Sequence, residues 1–180
     1  AMLLVYMNFV IGRKRPFVIA GPPETEQRLA LLRESAYPDV MRRGLGYPLQ
    51  FHRWSIPGEV EILGRRVRAI RAVHDTVATA TSLRVMTDSY EIAFSGDTGW
   101  QPQLAELAKD VDVFVCECSN VKNEYWGHLS VELLTDRREE IEVGQLILTH
   151  LSVESRAAAL IAAPDINARV ADDGLEIELP

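Results

Sequence analysis

Apolar and polar positions along the chain fall into short runs with two different periods, and these runs predict the elements. Residues 3 to 11 are almost wholly apolar and predict a buried helix. "PFVIAGP" predicts a short strand that stops at Gly21, Pro22 and Pro23. A helix from about Glu24 to Ser35 follows, with Leu29, Leu32 and Ala36 on one face. "YPDVMRRGLGYP" predicts a loop from its proline and glycine content. The strand candidates then come close together: "LQFHRWSI", "EVEIL", "RRVRAIRAV", "SLRVMTD" and "YEIAFS", the last two joined by a turn at Asp88 and Ser89.

Beyond residue 100 the period changes. "QPQLAELAKD" predicts a helix, "VDVFVCEC" a buried strand, and "SVELLTDRREE" a helix with Ser130 as N-cap. "QLILTH" predicts a strand, "VESRAAALIAA" a helix, and "ARVADDGLEIEL" a final strand pair or hairpin. Antiparallel strands in the middle and strand-helix alternation afterwards predict a mixed α/β fold with helices against a sheet. No internal repeat, low-complexity tract or linker interrupts the pattern, and 180 residues suit one domain, residues 1–180, with a sizeable core.

Charge narrows the partners. The net charge of -7 argues against a general nucleic-acid coat, although "GRKR", "MRRG" and "GRRVR" leave room for a local basic groove. The opening "AMLLVYMNFVIGRKRP" places its charge after the apolar run, the reverse of a secretory signal, and the run is too short to span a bilayer. Cys116 and Cys118 are the only cysteines, two positions apart on one strand and so side by side rather than facing each other. No membrane association and a reduced, cytoplasmic setting are expected.

The chemistry gathers where apolar strands run out. His74 ends "RAIRAVH", His150 ends "QLILTH", and Asp97 follows "YEIAFSG". Strand ends hold side chains rigidly while the adjoining loops leave room for a ligand. Two imidazoles and a carboxylate are ligands for a Zn-like ion, and a carboxylate can bridge two ions. Gly96 would allow the turn that faces Asp97 inward, and Thr98 would hold that carboxylate by a hydrogen bond. The plainer readings stand beside these: a strand-terminal histidine is also an ordinary packing or surface residue, and Gly-Asp-Thr an ordinary turn. His52 reads as structural, the cysteines as small buried side chains, and Trp100 and Trp126 as core or rim packing.

The order of the motifs adds to this. "AVHD", "FSGDTGW", "VFVCECS", "WGHLS" and "LILTHLS", preceded by "RKRPFVIAGPPETEQRL", resemble the metallo-beta-lactamase fold superfamily, and within it the ribonuclease Z-like hydrolases. The resemblance runs from about residue 3 to residue 152 and implies an αββα sandwich. It implies a metal-dependent hydrolase acting through activated water on a phosphodiester or related ester, carried by a small molecule or a nucleic acid. Carried over by position, His74 is a metal ligand, Asp97 the catalytic bridging ligand and His150 a ligand of the second ion. His128 in "GHLS" is a catalytic residue near the scissile phosphate, as general acid or electrostatic support for the leaving oxygen, and Glu117 a supporting group. The implied cofactor is a pair of Zn ions, with Mn or Fe as substitutes.

One part of the family pattern is missing: no His-x-His-x-Asp-His motif occurs in these residues. The expectation is therefore an N-terminally truncated domain with an incomplete site, inactive by itself, whose uncovered apolar surfaces pair with a second copy as a homo-oligomer. The alternative is a non-catalytic remnant serving as a binding or subunit module. A third reading keeps the fold and changes the bond to a lactone, thioester or sulfate ester. No Gly- and Lys-rich insertion of the kind that grips transfer RNA lies between Ser35 and His74.

Overall fold

The structure, a computed structural model, describes residues 1–74 and 79–179. Its internal contacts separate into two compact units, Ala1–Ser55 and Ile56–Pro180. Among the described residues no helix is long and apolar enough to cross a membrane.

The first unit contains helix α1 (Met2–Phe9), strand β1 (Phe17–Gly21), helices α2 (Thr25–Ala36) and α3 (Pro38–Arg43), and strand β2 (Leu49–Arg53). β1 and β2 pair in parallel, from Phe17 opposite Leu49 to Gly21 opposite Arg53. Leu4, Met7 and Tyr47 form its buried cluster, with Phe17, Ile19, Leu29, Leu45 and Leu49 packed around them. The Tyr47 hydroxyl donates to the Leu4 carbonyl at 3.0 Å, which gives this buried polar group a partner.

Three sequence expectations are corrected here. α1 forms, but it is not a buried helix: it is apolar except at Asn8, only Leu4 and Met7 are buried, and Met2, Leu3, Tyr6 and Phe9 are exposed. α2 buries no residue fully, and Leu32 and Ala36 of its expected face are exposed. The segment read as a loop contains α3. Pro38 is pre-shaped for the first helical turn, Asp39 and Arg42 sit at the ends that the helix dipole favours, and Gly44 stops the helix at φ +76°.

The second unit is built on one seven-stranded sheet in sequence order: β3 (Gly58–Ile62), β4 (Arg65–Arg71), β5 (Thr81–Met86), β6 (Glu91–Phe94), β7 (Val113–Glu117), β8 (Gln145–Thr149) and β9 (Ala168–Val170). Pairing is antiparallel from β3 to β6 and parallel from β6 to β9. Each parallel step needs a crossover, and these carry α4 (Pro102–Ala108), α5 (Val131–Asp136) and α6 (Val153–Ala162). The register lines up Ala93, Phe114, Leu146 and Ala168 in one row across the sheet. That row packs in one core with Leu104, Leu134 and Ala159 from the three helices. Cys116 and Cys118 belong to the same core as free, buried thiols, as expected.

Ser130 caps α5, its side chain accepting from the Leu133 amide at 3.1 Å. The expected C-terminal hairpin is corrected: α6 returns the chain parallel to β8, so β9 adds to the sheet edge, and the residues after the turn at Asp172–Gly174 form no strand among those described.

Candidate metal centre

The candidate site lies where β4, β6, β7 and β8 of the second unit end, and small polar residues set its geometry. The β6 strand closes on Ser95, which is buried; its hydroxyl accepts from the Glu117 amide at 2.8 Å and its carbonyl accepts from Ser82 Oγ at 2.6 Å. Gly96 then turns the chain at φ +57°, where a Cβ would sit 2.8 Å from the Thr81 carbonyl oxygen. Glycine is required on both counts, and the turn that sets Asp97 at the strand mouth is the one expected.

Thr98 does a different job from the one expected. It is fully buried; its hydroxyl donates to the Gly99 carbonyl at 2.8 Å and accepts from the Val73 amide at 2.9 Å, while its own amide donates to Glu117 Oε1 at 2.8 Å. The Gly99 amide donates to the Val73 carbonyl at 2.6 Å. These bonds stitch the end of β4 to the Asp97 loop and so bring His74 beside Asp97. The residue after His74 in "AVHD", Asp75, lies outside the described residues.

His150 ends β8 in the left-handed region, at φ +54°, a conformation uncommon for a side chain other than glycine. This turn points its ring back at the centre. His150 Nδ1 lies 3.4 Å from Asp97 Oδ1 and 3.9 Å from Glu117 Oε2. His128 arrives from the loop before α5, and its Nδ1 is 2.7 Å from Glu117 Oε1. The ring centroids of His74 and His128 are 4.8 Å apart, and those of His128 and His150 are 5.3 Å apart.

Glu117, expected as a supporting group, lies beside His128. Its side chain is 2% exposed, and its oxygens accept from the Thr98 amide, from the Ser119 amide at 3.2 Å and from the His128 ring. Burial of a carboxylate is costly unless such donors surround it. Here they do, and the carboxylate draws the ring proton of His128 to Nδ1, which orients the imidazole and leaves Nε2 available. The signal was an acid at the end of the otherwise apolar run "VFVCE".

The four residues expected from the sequence thus converge. His74, Asp97 and His128 form one group, and Glu117, His128 and His150 another; in each, the potential ligand atoms lie within 4.8 Å of one another. Imidazoles and carboxylates without a cationic side chain among them suit a borderline divalent ion such as Zn2+. His52 lies exposed on β2 and belongs to neither group. Next to the centre, the two thiols are held neutral by burial: Cys116 is pushed well above its ordinary range and Cys118 to about 12.

Comparison with known proteins gives a consistent answer. The Beta-lactamase superfamily domain matches residues 10–151. An uncharacterized Mycobacterium tuberculosis protein, Rv1339, is 32% identical over 137 residues, covering 70% of this chain and 49% of that protein. The chain thus spans about half the length of this curated relative. Ribonuclease Z of Bacillus subtilis is 34% identical over 100 residues, 49% of this chain and 33% of that enzyme. The crystal structure of the short form of human tRNase Z superposes with a TM-score of 0.71 at 15% identity, covering 99% of this chain and 73% of that one, which establishes a shared metallo-beta-lactamase fold.

Proposed function

Because the chain belongs to the beta-lactamase superfamily, we propose that it carries the metal-binding strand ends of a metal-dependent hydrolase acting on a phosphodiester or related ester. The observation that carries the proposal is the convergence of His74, Asp97, His128 and His150 on one another from separate strand ends and loops. The similarity to ribonuclease Z supports the phosphodiester as substrate class.

His74, Asp97 and His150 would hold the metal. A bound divalent ion supplies a Lewis acid and lowers the pKa of its water toward neutrality. His128 does the proton work: the Glu117 carboxylate fixes its ring through Nδ1–H, so that the opposite nitrogen, when the ring is in its imidazolium form, can deliver its proton to a departing oxygen. Thr98 and Ser119 hold Glu117 in turn through their amides, so the orientation of His128 is set by buried groups and not by solvent.

Zinc titration of the purified chain by calorimetry, with metal analysis, tests the reading. Only three ligands, His74, Asp97 and His150, are assigned to the metal, so the expected stoichiometry is at most one ion per chain, abolished by Asp97→Ala and weakened by His74→Ala and His150→Ala. Two tightly bound ions per chain would overturn the one-ion reading, and no dependence on these residues would overturn the site. Hydrolysis of bis(p-nitrophenyl) phosphate is expected of a complete ligand set and not of these residues alone.

The alternative of a binding or subunit module gains from the first unit, where α1 leaves Met2, Leu3, Tyr6 and Phe9 exposed and α2 leaves Leu31 and Leu32 exposed. An apolar surface of this kind is covered most simply by a second copy.

A further inference from the structure

Tyr125 and Trp126 stand in the loop between β7 and α5, 48% and 57% exposed, although large aromatic side chains ordinarily gain from burial. The loop that carries them is fixed at its neck. The Asn120 amide donates to the Leu129 carbonyl at 3.2 Å, the Val131 amide to the Asn120 carbonyl at 3.0 Å, and the Asn123 amide to the Glu132 carboxylate at 3.0 Å. At the tip, the Trp126 carbonyl packs so closely on Gly99 that a Cβ there would collide with it. The backbone is therefore pinned against the Asp97 turn while the rings face solvent. The Tyr125 ring lies 5.6 Å from the His128 ring and 5.8 Å from the Trp126 ring, so the pair continues directly from the candidate centre.

We propose that Tyr125 and Trp126 form a stacking platform for the planar base of a nucleotide whose phosphoester sits at the His74, Asp97 and His150 centre. This rests on the phosphoester reading above and names the other arm of the substrate. The surroundings select the occupant. Lys122, Asn123 and Glu124, just before the two rings in the chain, are exposed and polar, so the loop offers flat π faces next to polar side chains and not the apolar groove that an acyl chain needs. A flat, polar heterocycle matches both properties. Rings on a pinned loop also lose little freedom on binding, and stacking on an aromatic side chain strengthens binding by about 5- to 150-fold per base.

The test is calorimetric titration of the Zn-supplied protein with AMP and with ribose 5-phosphate, which carry the same phosphate and sugar and differ only in the base. AMP is expected to bind at least about 5-fold tighter. The advantage should vanish in the double variant Tyr125→Ala, Trp126→Ala and persist in Trp126→Phe, which keeps a π face. Both side chains are half in solvent, so the thermal midpoint should not move. Equal affinities for the two ligands, or an advantage that survives loss of both rings, overturns the platform and leaves the phosphoester reading standing. If neither ligand binds, the phosphoester reading fails and the platform falls with it.

Discussion

In residues 1–55 the fully buried cluster is Leu4, Met7 and Tyr47, and helices α1 and α2 turn large apolar side chains to solvent. In residues 56–180 the row Ala93, Phe114 and Leu146 is sealed under Leu104, Leu134 and Ala159, all at 2% exposure or less. The buried serine, threonine and glutamate side chains follow the same division: Ser82, Ser95, Thr98, Glu117, Ser130 and Ser155 all lie in the second unit, and each has a hydrogen-bond partner. A dry core strengthens such bonds and keeps their geometry fixed. The candidate metal centre is therefore found in the unit that has enough core to hold a buried carboxylate in place, and the thinner unit contributes exposed surface instead.

The sharpest way to break this comparison is to empty each core in turn. Phe114→Ala removes a fully buried ring from the middle of the parallel strands and is expected to cost about 3–5 kcal/mol in urea unfolding. Met7→Ala, in the first unit, should fall near the lower end of the range for core truncations, about 2 kcal/mol, because its half-open surroundings can relax. Equal losses would show that the two cores are equally tight.

A gentler comparison uses two glycines in the left-handed region. Gly96→Ala meets both the conformational penalty and the Thr81 carbonyl at 2.8 Å, and should cost roughly 2–4 kcal/mol together with zinc affinity. Gly44→Ala, at φ +76° and ψ 176° with nothing within 4 Å, should cost roughly 1–3 kcal/mol and leave zinc binding unchanged.

Alkali probes both units, through the two cysteines in the second and through Tyr47, whose hydroxyl burial also raises, in the first. Burial raises the thiols, Cys118 from 9.0 to about 12, so the folded chain keeps protons that the unfolded chain loses. The stabilisation is complete below about pH 9 and is lost as pH rises toward 12, at up to about 1.4 kcal/mol per pH unit for each thiol. Denaturation curves between pH 8 and pH 11 should show this decline. Cys118→Ala should remove its share, and a flat profile would mean that the thiols are less sealed than their burial indicates.

Much of this was legible in the chain itself, and the failures have specific causes. Every strand expected from "PFVIAG" to "QLILT" forms: in β3 one-sided burial writes a period of two into the sequence, and in β7 and β8 burial on both faces writes a continuous apolar run. α3 was hidden because Pro38 and Gly44, which bound it, also signal loops. The exposure of α1 was hidden because hydropathy records what a helix would bury and not what covers it. At the site, His74, Asp97, His128 and His150 were marked by strand ends and motif order, but the contacts between them were not. Glu117 reaches Thr98 and His128 across 19 and 11 positions of chain, and the turn after Gly96 sets the Thr98 amide on Glu117 and its hydroxyl on Val73 and Gly99 instead of on Asp97.

The smallest effect on stability is expected where the first unit differs most from the second. Phe9 and Leu32 are 58% and 59% exposed, so replacing them with serine removes little buried area and should change the unfolding free energy by no more than about 0.5 kcal/mol. If a second copy covers this surface, the same substitutions remove the drive for association, because that drive scales with the apolar area taken from water. Light scattering over a concentration series separates the two quantities. The unaltered chain should rise above the monomer mass and the Phe9→Ser, Leu32→Ser variant should remain at it, with unchanged unfolding. A chain that stays monomeric at high concentration would show that the thin unit tolerates its open apolar face without a second copy, and the homo-oligomer proposal would fall.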